Sequence, residues 1–155
     1  RAQADGLRLS PEEVEVAYWA AAAWGGLIAL SKDQPDRVAD FPLAVRLAQL
    51  TYQAAPEQGQ GALASLMGSF EAARPGGSRQ QAARYFDQAI TLGVGKNAGA
   101  LLAKAENIAL PAGDRAAFDA LLKQALAASA SASDLQSAVA RERALWLLAT
   151  ADDLF

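Results

Sequence analysis

The chain has 155 residues, 52% hydrophobic and 20% charged, with a net charge of −3. That length suits one domain with a sizeable core. The scattered basic residues exclude the Lys/Arg stripe that nucleic-acid binding requires. Cysteine and histidine are both absent, which removes disulfides, thiolate chemistry, the commonest general base and the usual metal ligand. No metal, no cofactor and no catalytic machinery are expected.

Arg1 to Leu9 has little pattern and is expected to form a flexible arm before a single helical domain over residues 10–155. Ser10-Pro11-Glu12-Glu13 is a helix start: serine at the cap, proline at the first helical position and Glu13 closing a capping box. The helix should run to about Leu30, with Val14, Tyr18, Ala21, Gly25 and Ile28 on one stripe. Trp19 and Trp24 flank that stripe, so the helix is apolar over much of its surface and is expected to be buried on several sides. Its longest apolar stretch, Val16 to Leu30, falls short of the roughly 20 residues of a membrane span.

Ser31 to Pro35 breaks the helix. A second helix is expected over about Asp40–Ala55 and a third over about Gln58–Ala73, with Pro75-Gly76-Gly77 as a turn. Ser78 should cap a fourth helix, with Gln81 completing a box and Gly93 stopping it. A fifth should span about Ala98–Ala109. After Pro111-Ala112-Gly113, Asp114 caps a sixth reaching about Ala128. Asp134 opens a last helix that continues nearly to Phe155. Strand-period alternation is missing, so no sheet is expected.

Three of these helices share a face at spacing i, i+4, i+7, i+11: Leu43, Leu47, Leu50 and Ala54; Ala82, Phe86, Ala89 and Gly93; Phe118, Leu122, Ala125 and Ser129. The period and recurring turns point to an all-α fold of antiparallel helical hairpins in a solenoid bundle. The fragment Ala82-x3-Phe86-x2-Ala89 resembles the second helix of a tetratricopeptide (TPR) repeat.

Few positions suggest chemistry. Tyr18, Trp19 and Trp24 are candidates to line an apolar ligand pocket, with Lys32 and Asp33 as polar groups at its mouth. Lys96 and Asn97 are candidates to line a concave surface. Gly76-Gly77-Ser78 and Gly93-Val94-Gly95-Lys96-Asn97 lack the preceding strand and the lysine–hydroxyl pair of a phosphate loop and are turns. Asp152 and Asp153 point about 100° apart on a helix, as at a solvated helix end. Phe155 is placed to fold back onto apolar surface.

Three aromatic-rich blocks occur in order. The first is Ala17-Tyr18-Trp19-Ala20 with Ala23-Trp24, Ile28 and Ser31-Lys32-Asp33. The second holds Gly77, Ala82, Ala83, Tyr85, Phe86, Ala89 and Ile90. The third is Arg143-Ala144-Leu145-Trp146-Leu147-Leu148 followed by Asp152-Asp153-Leu154-Phe155. From about Glu12 onward the set resembles the T component of tripartite ATP-independent periplasmic (TRAP) transporters. Gln136 and Ser137 stand where family members often carry Asn. The resemblance implies a periplasmic, TPR-like accessory protein, tethered by an N-terminal lipid and assembled as a homotrimer. It further implies a cleft or pore for a small hydrophobic or organic-acid ligand, and docking with the transporter's substrate-binding protein. The chain opens at Arg1, so an upstream segment carrying an anchor cysteine is expected to have been removed. The alternative from the repeat alone is a generic TPR-like module that binds a peptide.

Overall fold

The computed structural model describes residues 7–155, so most of the expected N-terminal arm lies outside the described residues. Among these the chain is all-α, with no strand. It divides into two compact units, one ending at Gly59 and the other running from Gln60 to Phe155.

The first unit is a helical hairpin. Helix α1 spans Pro11–Ala29 and starts as its residues dictate. The Glu13 N–H donates to Ser10 Oγ at 3.4 Å, and the Ser10 N–H donates to Glu13 Oε2 at 2.7 Å. The Ser10 backbone N–H, and after it the Ser10 hydroxyl, hold the Glu13 carboxyl below its usual pKa. Pro35 does not merely break the chain. It occupies the first turn of a short helix α2, Pro35–Ala39, where its missing N–H leaves no bond unmade. Helix α3 follows over Phe41–Ala54. Val14, Ala17, Ala21 and Ile28 of α1 are buried, as are Ala44, Val45, Ala48 and Thr51 of α3. The buried Thr51 hydroxyl donates to the Leu47 carbonyl at 2.8 Å.

Two expectations fail here. The predicted α3 face was Leu43, Leu47, Leu50 and Ala54, yet Leu43 is 57% exposed and Ala44 fully buried. The buried set is Ala44, Val45, Ala48 and Thr51, centred one residue on, with the alanines of α3 set toward the buried Ala17 and Ala21 side of α1. Nor is α1 buried on several sides: Val16, Trp19, Leu27 and Leu30 are exposed.

The second unit begins near a 3₁₀ turn, Gln58–Gly61, which replaces the expected first turn of the third helix because Gly59, Gln60 and Gly61 all have positive φ. Helices α4 (Ala62–Ala73) and α5 (Arg79–Leu92) form a hairpin. The turn between them is clamped by Glu71. Its carboxylate accepts the Arg74 Nε–H at 2.6 Å, the Arg74 Nη2–H at 2.8 Å and the Ser78 backbone N–H at 2.8 Å. Ser78 Oγ accepts the Gln81 N–H as expected. The reciprocal half of the predicted box is absent, since the Ser78 N–H goes to Glu71 instead.

Helix α6 (Ala98–Lys104) passes into a π turn, Ala105–Ala109, where a uniform α-helix was expected. Pro111 ends the ladder because it has no N–H and its ring opposes the carbonyl four residues earlier. The chain widens before it: the Leu110 N–H reaches back to the Ala105 carbonyl at 2.9 Å, and the Asn107 side-chain amide donates to the Ala103 carbonyl at 2.8 Å. Asp114 and Asp134 cap α7 (Arg115–Ser129) and α8 (Leu135–Ala149), accepting the Ala117 and Ser137 N–H groups at 2.9 and 2.8 Å. The last helix was expected unbroken nearly to Phe155. It stops at Thr150, whose hydroxyl donates to the Trp146 carbonyl, and resumes as α9, Ala151–Leu154.

One core joins these elements. Leu101, Ala105 and Ala109 pack with Phe118, Leu122 and Ala125 of α7 and with Ala140, Ala144 and Leu147 of α8. The predicted face of α7 holds, with Phe118, Leu122, Ala125 and Ser129 buried; that of α5 holds at Ala82, Phe86 and Ala89, whereas Gly93 is the C-cap and only partly buried. Alanine at the crossing points lets the helices approach closely while Phe86 and Phe118 supply the volume.

Candidate functional site

The residues singled out in sequence fall in both units. Tyr18 and Trp19 pack edge to face, ring centroids 5.1 Å apart. Tyr18 is half-buried, and burial pushes its phenol pKa upward. Trp19 is 52% exposed, so Tyr18 props an indole that points outward. Trp24 is half-buried and lies about 140° around the helix from Trp19. The first two aromatics therefore meet and the third is set apart. Lys32 and Asp33 are exposed in the turn after α1.

Lys96 and Asn97 lie in the second unit, before α6. Lys96 is exposed. Asn97 is the N-cap of α6, its Oδ1 accepting the Ala100 N–H at 3.0 Å. A Cβ on Gly93 would sit 2.6 Å from the Asn97 Cβ, so the glycine makes room for the cap.

A cavity that sequence reasoning missed lies elsewhere in the second unit. It measures about 300 Å³ and is walled by Ile108, Ala109, Ala117 and Leu121 among others, with Lys104 and Asp114 as its polar groups. Its position follows from the π turn, which widens the path from α6 into α7. Lys104 is held by Asp87, at 2.5 Å between Nζ and Oδ1. The cavity is half open, its walls are mostly apolar, and its edge carries the paired Lys104 ammonium and the Asp114 carboxylate. Only Pro111-Ala112-Gly113, legible as a turn, hinted that the chain bends here.

The C-terminal aromatic block is braced by charge. Arg143 pairs with Glu106 at 2.6 Å and lies 4.7 Å over the Trp146 ring. Asp152 pairs with Arg115 at 2.9 Å, and Asp153 is exposed. Phe155 does fold back: its ring meets the edge of fully buried Phe118 at 5.3 Å, under the Arg115 guanidinium.

Against known families, a profile described as TRAP transporter T-component matches residues 3–155. The chain belongs to the TRAP transporter T-component family. No curated protein matches it. As a T-component it is an accessory part of a TRAP transporter, and the three aromatic blocks read from the sequence all lie inside the matched region. No helix of this T-component, among the described residues, is long and apolar enough to cross a membrane.

Proposed function

We propose that this T-component binds a small, partly hydrophobic organic acid and docks with the transporter's substrate-binding protein on the periplasmic side of the membrane. The observation that carries the ligand reading is the cavity beside the π turn, whose walls are apolar and whose edge holds the Lys104 ammonium. A π turn interrupts regular hydrogen bonding and is found frequently at functional sites. The acid group would have to compete with Asp87 for Lys104, with the hydrocarbon part against Ile108 and Leu121. Tyr18, Trp19, Trp24, Lys32 and Asp33 offer contact residues on the first unit, and Lys96 and Asn97 on the second. Assembly as a homotrimer and tethering through a lipidated upstream cysteine belong to the same reading.

Three experiments test it. The first is a pull-down with the purified chain from a periplasmic extract of its source. Recovery of a TRAP-type substrate-binding protein supports docking; recovery of unrelated proteins through exposed peptides favours a general adaptor instead. In the second, calorimetry with medium-chain carboxylic acids should give heats of binding that Ala117→Trp, which fills the cavity, abolishes. Equal heats in both proteins would remove the cavity from the proposal. Trp24→Ala should weaken partner binding more than folding; an unfolded variant would make Trp24 a core residue.

A further inference from the structure

Lys104 stands in the wall of the cavity beside the π turn, yet its charge is met from outside that wall. Its Nζ lies 2.5 Å from Asp87 Oδ1 of α5, and Asp87 does not line the space. The cavity's cation is thus neutralised while the cavity stays free. The other charge at the edge has a different duty. Asp114 Oδ1 accepts the Ala117 N–H at 2.9 Å and so belongs to the start of α7.

The two partners are unequally covered. The Lys104 side chain is 24% exposed and that of Asp87 60%. Asp87 can let go into water at little cost, whereas the more enclosed ammonium still needs an anion. A pair this open to solvent contributes little to the fold. Lysine also suits exchange, since it offers a compact charge on a flexible stem and no fixed fork. The arginines of the second unit are tied more firmly. Arg143 holds Glu106 through two nitrogens and stacks on Trp146, and Arg115 bonds both Asp119 and Asp152.

We propose that Asp87 is a resident counter-ion that sets the ligand preference of this cavity by acting through Lys104. An entering carboxylate displaces Asp87 from the ammonium, and Asp87 returns as the ligand leaves. The proposal rests on the cavity being the ligand site, as read above.

The consequence for affinity follows from what is exchanged. Lys104 is paired before binding and after it, so an acid gains only the difference between two ion pairs over a neutral molecule with the same tail. The parent therefore discriminates weakly between the two. Without Asp87 the acid would gain the whole pair. Release is eased for the same reason, because the returning carboxylate spares the ammonium from standing unpaired at the edge. Moderate affinity and ready release fit a component that passes its ligand on.

Asp87 can be changed without disturbing the fold. The buried face of α5 is Ala82, Phe86 and Ala89, and the bond at this turn, from the Thr91 hydroxyl, goes to the Asp87 backbone carbonyl. Octanoate and 1-octanol are the probes, titrated by calorimetry at neutral pH into the whole chain. Asp87→Asn should tighten octanoate about threefold or more and leave octanol unchanged. Asp87→Glu, which keeps the charge, should behave as the parent. Lys104→Met should bind the two probes alike, and adding Asp87→Asn to it should change neither. Octanoate binding that Asp87→Asn leaves unchanged or weakens overturns the proposal, as does an equal gain for octanol. The cavity reading fails separately. If Ala117→Trp abolishes octanol binding while Asp87→Asn has no effect, the cavity stands and only the role of Asp87 is lost. If the parent binds neither probe, or Ala117→Trp leaves both bound, the cavity is not the site and this proposal falls with it.

Discussion

The ring of Phe86 lies against the backbone of Gly68, leaving a Cβ built on that glycine only 2.9 Å from the nearest ring carbon. Both residues are buried, so the α4–α5 hairpin closes on a flat ring seated in the gap that glycine leaves. Gly68 is an unfavourable helix residue retained for this contact.

Gly68→Ala should therefore destabilise the chain by about 1–3 kcal/mol despite its better helix propensity, because the added methyl overpacks the site. Phe86→Leu alone should cost about 1–2 kcal/mol through lost volume. Together they should cost less than their sum, since the smaller side chain makes room for the methyl. Denaturant melts of the two single variants and the double variant measure this coupling. Strict additivity would mean that the ring is not seated on the glycine.

Gly61 provides a second close approach, through the backbone rather than a ring. Its φ is +100°, and a Cβ there would run into the Ala89 carbonyl oxygen. Gly61→Ala combines backbone strain of about 1–3 kcal/mol with a clash that no rotamer relieves. The loss in a thermal melt should exceed that of Gly68→Ala, where a side chain can shift. A smaller loss would show that the α4 start moves away from α5.

The repeat frame can be checked at α3. Leu43→Ser should change stability by no more than about 0.5 kcal/mol, as expected of an exposed position. Ala44→Leu should cost about 1–3 kcal/mol or more, because it forces bulk between α1 and α3. If Leu43→Ser proved the more damaging, the leucine frame read from the sequence would be the buried one.

That frame shows what was legible and what was not. Caps at Ser10, Asp114 and Asp134 could be read directly, because a cap is a local bond between residues three apart. The faces of α5 and α7 could be read because each carries one phenylalanine that must be covered. In α3 leucines and alanines compete. The tertiary fact that α1 brings alanines to the contact decides for Ala44 and Ala48, and single-helix periodicity does not contain it. The cavity was hidden for a similar reason: the π turn at Ala105–Ala109 shifts the hydrogen-bond register by one residue, without a distinctive residue type. The aromatics of α1 were visible as candidates, but their directions depend on which stripe α3 covers.

Glu71 should give the chain a measurable pH dependence. Its carboxylate is held below the usual carboxylate pKa by its hydrogen bonds to Arg74, with a smaller contribution from the Ser78 N–H. A carboxyl whose pKa is lower folded than unfolded stabilises the fold at pH values above its unfolded pKa, and that contribution is lost as pH falls through the folded value. Melting temperature should therefore drop on acidification from about pH 5 toward pH 3. Glu13 and Asp134, also lowered by their capping bonds, contribute to the same slope. The variant Glu71→Gln isolates the clamp. It should lower stability by about 1–2 kcal/mol at neutral pH, where the Arg74 pair is charged in the parent. The two melting curves should converge as pH falls, because the protonated Glu71 carboxyl and the amide that replaces it are both neutral. A difference that stays constant across that range would mean that the α4–α5 turn is held by its backbone bonds alone.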